Sequence, residues 1–253
     1  MSPERYMSKN RRVICSGSGA TRLTARQVYR TVAAGFILRK LYRKRKKEIS
    51  NRLKEFKNLW RYGSEEDIFT ELCFCLLTPQ SKALSCWDAV SEIKKKGFFS
   101  SDCAREISKC LRKKVRFHNN KARYIVAARK FFSKNGRFII REKLYSHLTP
   151  RKWWGDVLKL RDWLVKNIKG LGYKESSHFL RNIGFGENVA ILDRHILKNL
   201  KALRIIDKIP ESLSRKKYLD IEEKMKEFSI SSGIPVEALD LLFWSKETGR
   251  IFK

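Results

Sequence analysis

The sequence predicts an all-α protein built of helical bundles, and three observations carry that expectation. From Glu48 onward apolar residues recur three and four apart, the spacing of one helix face. Capping residues and short polar breaks punctuate these runs. No segment alternates apolar and polar residues over a length that would make a strand.

The elements follow in order. Ser64-Glu-Glu-Asp67 has the form of a capping box, and Ile68, Phe69, Leu72, Cys73, Leu76 and Leu77 then fall on one face. Pro79 ends that run. Ser81–Lys95 restarts with Leu84, Trp87 and Val90, and Asn119–Phe132 carries Tyr124, Ile125, Ala128 and Phe131. Thr149-Pro150 pairs an N-cap with a proline at the first helical position, ahead of Trp153, Val157, Leu160 and Leu164. Later helices are expected to start near Tyr173, Asp193 and Ser214, and a last one at Pro235. Many amphipathic helices joined by short loops describe a bundle, here without an internal repeat.

Composition changes near residue 48. Before it, Glu4 is the only acidic residue, and Ser16-Gly-Ser-Gly19 reads as linker. Residues 1–47 are therefore expected to form a basic extension, with about the first 35 poorly ordered, and residues 48–253 the helical domain. A DNA-clinging arm, an organellar presequence and a start placed too far upstream are three readings that stay open for the extension.

The whole chain of 253 residues holds 57 Lys and Arg against 26 Asp and Glu, a formal charge of +31. Such self-repulsion is relieved by a polyanion, and nucleic acid is the leading candidate. An anionic membrane surface is the rival, but no apolar run approaches the roughly 20 residues needed to span a bilayer. Thr31–Leu38 is short, and Arg39 follows at once, so it is not read as a signal peptide. The six cysteines match no metal or cluster spacing, and Cys73 and Cys75 sit in an apolar run where a thiol packs as a small hydrophobe. His118, His178 and His195 are not spaced as metal ligands either. No metal is expected, and a reducing, cytoplasmic setting fits the thiols.

Chemistry concentrates in residues 164–195. A helix runs into Gly170-Leu-Gly172, and a second helix follows directly, offering free N–H groups and a positive dipole end to a phosphate. An ordinary helical hairpin with a glycine turn has the same pattern. Lys174 opens the second helix, where an amine could serve as nucleophile. Asp193 closes the apolar run from Val189 and opens the next helix, which suits an N-cap as well as an acid.

The hairpin, the lysine just after it and the aspartate beyond an apolar run resemble the helix-hairpin-helix DNA glycosylase superfamily. Within it the chain is most similar to the type 2, archaeal-type 8-oxoguanine DNA glycosylase/AP lyases. The likeness rests on Glu71–Gln80, Arg116–Tyr124, Ile168–His195 and Asp240–Lys253, and it leaves the basic extension outside. It implies two helical lobes flanking a DNA- and base-binding cleft. It further implies removal of 8-oxoguanine from duplex DNA through a lysine Schiff base, with strand cleavage by β-elimination. Lys174 corresponds to the nucleophile and Asp193 to its acidic partner. Gly170 and Gly172 are the implied phosphate binders, Gln80 and Arg116 further DNA contacts, and Lys253 a base-recognition residue. Trp244 is the candidate for stacking on the base, with core packing as its alternative role. The chain lacks the C-terminal four-cysteine cluster of the endonuclease III branch, so no iron–sulfur cluster and no other cofactor is expected. A monomer associated with the nucleoid is the expected form. A glycosylase for another oxidised base and a non-catalytic DNA-binding module are the competing functions.

Overall fold

Residues 25–100, 102–148 and 153–253 are described by the computed structural model. The chain begins there with α1, Ala25–Tyr62, a helix of 38 residues. Leu38, Ile49, Phe56 and Trp60 bury along one side of it, while Lys40, Arg43, Lys44 and Lys47 stay exposed. The compositional change near residue 48 therefore falls inside one helix, because the apolar stripe continues beneath the cations. Residues 25–35, within the stretch expected to lack order, are helical. The Ser16–Gly19 linker and Thr149-Pro150 lie outside the described residues.

Ser64 caps α2, Glu65–Leu77, through the capping box anticipated with Asp67. Ten successive residues, Ile68–Leu77, are buried, so α2 is covered on all sides and forms the centre of its lobe. Cys73 and Cys75 lie there, and burial pushes both thiols well above their usual range. Around α2 stand α3 (Ala83–Lys95), α4 (Ala104–Leu111), α5 (His118–Phe131) and α6 (Ile140–Tyr145). A two-residue antiparallel pair, β1 (Ser133–Lys134) with β2 (Arg137–Phe138), turns at Asn135-Gly136, both at positive φ. It is too short to leave an alternating signature in sequence.

The remaining helices are α7 (Trp153–Asn167), α8 (Tyr173–Asn182), α9 (Arg194–Ala202), α10 (Arg215–Ser232) and α11 (Val236–Thr248). Their starts fall where Tyr173, Asp193, Ser214 and Pro235 were expected to place them, with Asp193 and Ser214 as side-chain caps. Buried side chains divide into two clusters. One gathers α2 to α8 with Trp60 of α1, and the other gathers α9, α10 and α11 with Leu38, Ile49 and Phe56 of α1. This is the two-lobed helical arrangement, and the segment 189–193 passes from the first cluster to the second. Among the described residues no helix is long and apolar enough to cross a membrane.

Candidate active site

A cleft of about 1210 Å³ is lined from both lobes. Thr78–Ser85 and Arg116 form one wall, Lys174 and His178 of α8 the floor, and Asp193, Asp240, Trp244 and Lys253 the other side. Six of the eight residues singled out in the sequence thus meet in one cavity: Gln80, Arg116, Lys174, Asp193, Trp244 and Lys253. Gly170 and Gly172 do not line it; they form the turn that leads into α8.

That turn depends on its glycines. Gly170 has φ +98, and a Cβ there would stand 2.5 Å from the Tyr124 ring. Gly172 is the N-cap of α8 in an extended conformation, so α8 starts without a side-chain cap. Its first N–H groups therefore donate no hydrogen bond to a capping side chain.

Lys174 is largely buried. Its Nζ donates to Thr78 Oγ1 at 3.3 Å and lies 3.5 Å from Glu175 Oε1. Asp193 is the N-cap of α9, its Oδ1 accepting the Ile196 N–H at 2.8 Å. Capping and cleft exposure therefore coincide in one carboxylate. A buried network fixes the backbone that carries it. Arg161 of α7 forms a paired contact with Glu222 of α10, at 2.6 and 2.8 Å, and donates to Ser177 of α8 at 3.1 Å. Glu222 accepts the Ala190 N–H at 2.7 Å, Tyr218 donates to Ala190 O at 2.6 Å, and Leu192 N–H donates back to Tyr218 at 3.3 Å. One ion pair thus ties the hairpin helices to the segment ending at Asp193. With both charges nearly inaccessible, removing either one would leave the other buried without its counter-charge.

Trp244 is half-buried on the cleft wall, 6.0 Å from Phe252, and not in the core. The Lys253 ammonium turns inward to pair with Glu71, and it sits 3.5 Å from the Trp87 ring centre. Glu71 also accepts from Asn182 at 3.0 Å. Beside them Arg181 pairs with Asp240 at 3.1 Å, both buried. Burial raises the Asp240 carboxyl to about 6; Arg181 opposes the rise and the charge of Asp193 adds to it. Glu71 and Arg181 were not singled out in sequence, and His178 was read there only as a residue not spaced for a metal. Their signal was a charged or polar residue at an apolar helical position, visible only once the burial of α2 and α8 is known. Among the described residues no group of His, Cys, Asp and Glu could hold a metal ion.

A largely helical, two-lobed chain whose glycine hairpin presents a lysine to a cleft that a capping aspartate also lines has the build of a helix-hairpin-helix DNA glycosylase. Comparison with known proteins agrees. The family model described as 8-oxoguanine DNA glycosylase matches residues 49–234. The chain is 48% identical over 216 residues to the 8-oxoguanine DNA glycosylase/AP lyase of Fusobacterium nucleatum, covering 85% of this chain and 96% of that protein. The enzyme of the same name from Methanocaldococcus jannaschii is 38% identical over 205 residues, with coverage of 81% and 91%. The solved structure of the Methanocaldococcus jannaschii 8-oxoguanine DNA glycosylase superposes with a TM-score of 0.77 at 35% identity, over 90% of this chain and 99% of that one. A second structure of that enzyme, in complex with 15mer DNA containing 8-oxoguanine, gives 0.73 at 36% identity, over 86% and 100%. The chain belongs to the 8-oxoguanine DNA glycosylase family.

Proposed function

We propose that this chain excises 8-oxoguanine from duplex DNA and then cuts the strand, with Lys174 as nucleophile and Asp193 as its acidic partner. The observation that carries the reading is the meeting of Lys174, Asp193, Trp244 and Lys253 around one cavity, reached from sequence positions up to 79 residues apart. The names of the relatives support it.

The target base leaves the stack, at a cost of a few kcal/mol, and enters the cleft, where Trp244 stacks on it and Lys253 helps to recognise it. The neutral Lys174 amine attacks C1′, and the glycosidic bond breaks with its electron pair going to the departing base. Asp193 stabilises the positive charge that develops on the sugar and assists the proton transfers from amine to base. Ring opening leaves a Schiff base between Nζ and C1′. Loss of a C2′ proton then expels the 3′ phosphate by β-elimination. Gly170 and Gly172 present N–H groups to the backbone, and Gln80 and Arg116 contact the strands beside the lesion. We assign this activity to residues 48–253 of a monomer working at the nucleoid, with residues 1–47 as a basic extension, although α1 crosses residue 47 without a break.

The test is covalent trapping. Duplex carrying one 8-oxoguanine, mixed with protein and borohydride, is expected to give a stable adduct with the wild type and none with Lys174→Gln. An adduct with both would move the nucleophile elsewhere. No adduct with either, DNA binding being retained, would point to another damaged base or to a binding module.

A further inference from the structure

The loop between α2 and α3 is the cleft wall that carries Gln80, and its backbone is unusual. Gln80 sits at φ +54, in the left-handed region where residues other than glycine are strained. Such a conformation persists only where its surroundings over-determine it. Behind the loop lies Lys121 of α5, only 4% exposed. Its Nζ donates to Leu77 O at 2.7 Å, to Pro79 O at 2.8 Å and to Ser81 Oγ at 3.0 Å. Ser81 Oγ also accepts the backbone N–H of Arg116 at 3.0 Å. Thr78, in the same loop, accepts from Lys174. One ammonium thus uses all three of its N–H bonds on the end of α2 and the loop that bears Gln80, and meets the Arg116 backbone at Ser81.

We propose that Lys121 is a positioning residue which, through Ser81, fixes the Gln80 and Arg116 loops against each other as a single DNA-contacting edge. This rests on the reading that the cleft binds DNA and that Gln80 and Arg116 touch it. The ammonium is well suited to the task. A buried lysine is retained only where its charge is met, and here two carbonyls and a hydroxyl meet it instead of a carboxylate. Burial brings it down to about 8, with Lys174 and Arg116 pushing the same way and Cys86 and Glu175 opposing. It is therefore mainly charged at pH 7 and loses its third N–H as pH rises above 8, when the loop loses one of its three anchors.

The experiment measures affinity for a duplex holding 8-oxoguanine, using the full chain with Lys174→Gln to prevent turnover, in a double-mutant cycle. Lys121→Met is expected to weaken binding by about tenfold, the scale of one lost charge-assisted contact. It should weaken binding far less when Gln80→Ala and Arg116→Ala are already present. Ser81→Ala, which leaves the ammonium on its two carbonyls and puts no new charge in the core, is expected to move in the same direction by a smaller factor. Lys121→Arg should recover part of the loss. Binding by the parent protein should weaken between pH 7.5 and 9 more than binding by Lys121→Met. Full additivity with the Gln80 and Arg116 substitutions would overturn the proposal, as would wild-type affinity for both Lys121→Met and Ser81→Ala. Failure of the underlying reading looks different: Gln80→Ala with Arg116→Ala would then bind the duplex as tightly as the protein with both residues intact.

Discussion

The Lys253 ammonium is paired with Glu71 and rests against the face of Trp87. Burial draws that ammonium below the ordinary lysine range, and Glu71 opposes the shift. The pair joins the last residue of the sequence to the centre of α2, so that Lys253 is held in the cleft by the most buried helix of its lobe. Replacing Glu71 by Gln keeps a partner for Asn182 and leaves the ammonium without a counter-charge. Stability is expected to fall by about 3 kcal/mol. Excision of 8-oxoguanine should fall at least tenfold more than cleavage of a duplex with a pre-formed abasic site. Rates on the two duplexes decide the matter, and equal losses would remove Lys253 from base recognition.

Asp193 both caps α9 and lines the cleft, and the two roles can be separated. Asparagine caps a helix about as well as aspartate does. Asp193→Asn should therefore melt within about 0.5 kcal/mol of the parent protein while single-turnover excision slows by about a hundredfold or more, the scale of a lost acid–base group. A large loss of stability with unchanged excision would reduce Asp193 to a cap.

Gly170 tests the hairpin. At φ +98, with the Tyr124 ring where a Cβ would go, alanine must shift either the turn or the ring. Gly170→Ala is expected to cost about 2 kcal/mol of stability. It should also lower affinity for undamaged duplex, because the N–H groups at the start of α8 move with the turn. Retained affinity in a folded variant would place the phosphate contacts elsewhere.

Asp67 supplies a pH-dependent prediction away from the cleft. Hydrogen bonds from Lys94 and Ser64 outweigh burial and hold its carboxyl at about 2, below the ordinary 3.8. The folded value is the lower one, so its contribution is present above about pH 4 and is lost as pH falls toward 2. The group is partly exposed, which screens the ion pair with Lys94 and leaves the cap as the main term. Asp67→Ala should destabilise the protein by about 1 kcal/mol at pH 7. Denaturant melts at pH 2 should show the two proteins nearly equal, and a gap that survives there would mean that the charge is not what stabilises.

Much of this architecture was legible in sequence because its signals are local. Ser64, Asp193, Ser214 and Pro235 mark helix starts through their own backbone chemistry, and the structure has helices there. The start of α1 was not legible. Charge and composition change at residue 48, but the face that packs, Leu38, Ile49 and Phe56, runs past it. The short helices α4 and α6 lack side-chain caps and span two turns or so, too little for periodicity to register. In the cleft, Lys174 and Asp193 could be found because hairpin and cap are read within a few residues. Glu71 with Lys253, Arg161 with Glu222 and Arg181 with Asp240 join residues 182, 61 and 59 apart. A charged residue on an apolar helix face shows that a partner must exist; only the fold says which one.

One consequence of α1 concerns mechanics. It is a rod about 57 Å long at 1.5 Å per residue, and it seats Phe56 in one lobe and Trp60, a single turn later, in the other. A continuous helix resists bending over one turn, so the lobes are braced against swinging like jaws around a guest. Under the proposed mechanism, the deformation that delivers a base to Lys174 then falls on the duplex, which kinks and unstacks against a stiff anvil. On the same mechanism the work of that distortion is drawn from phosphate contacts on either side of the lesion. Raising the salt concentration should therefore release damaged and intact DNA alike long before it unsettles the protein.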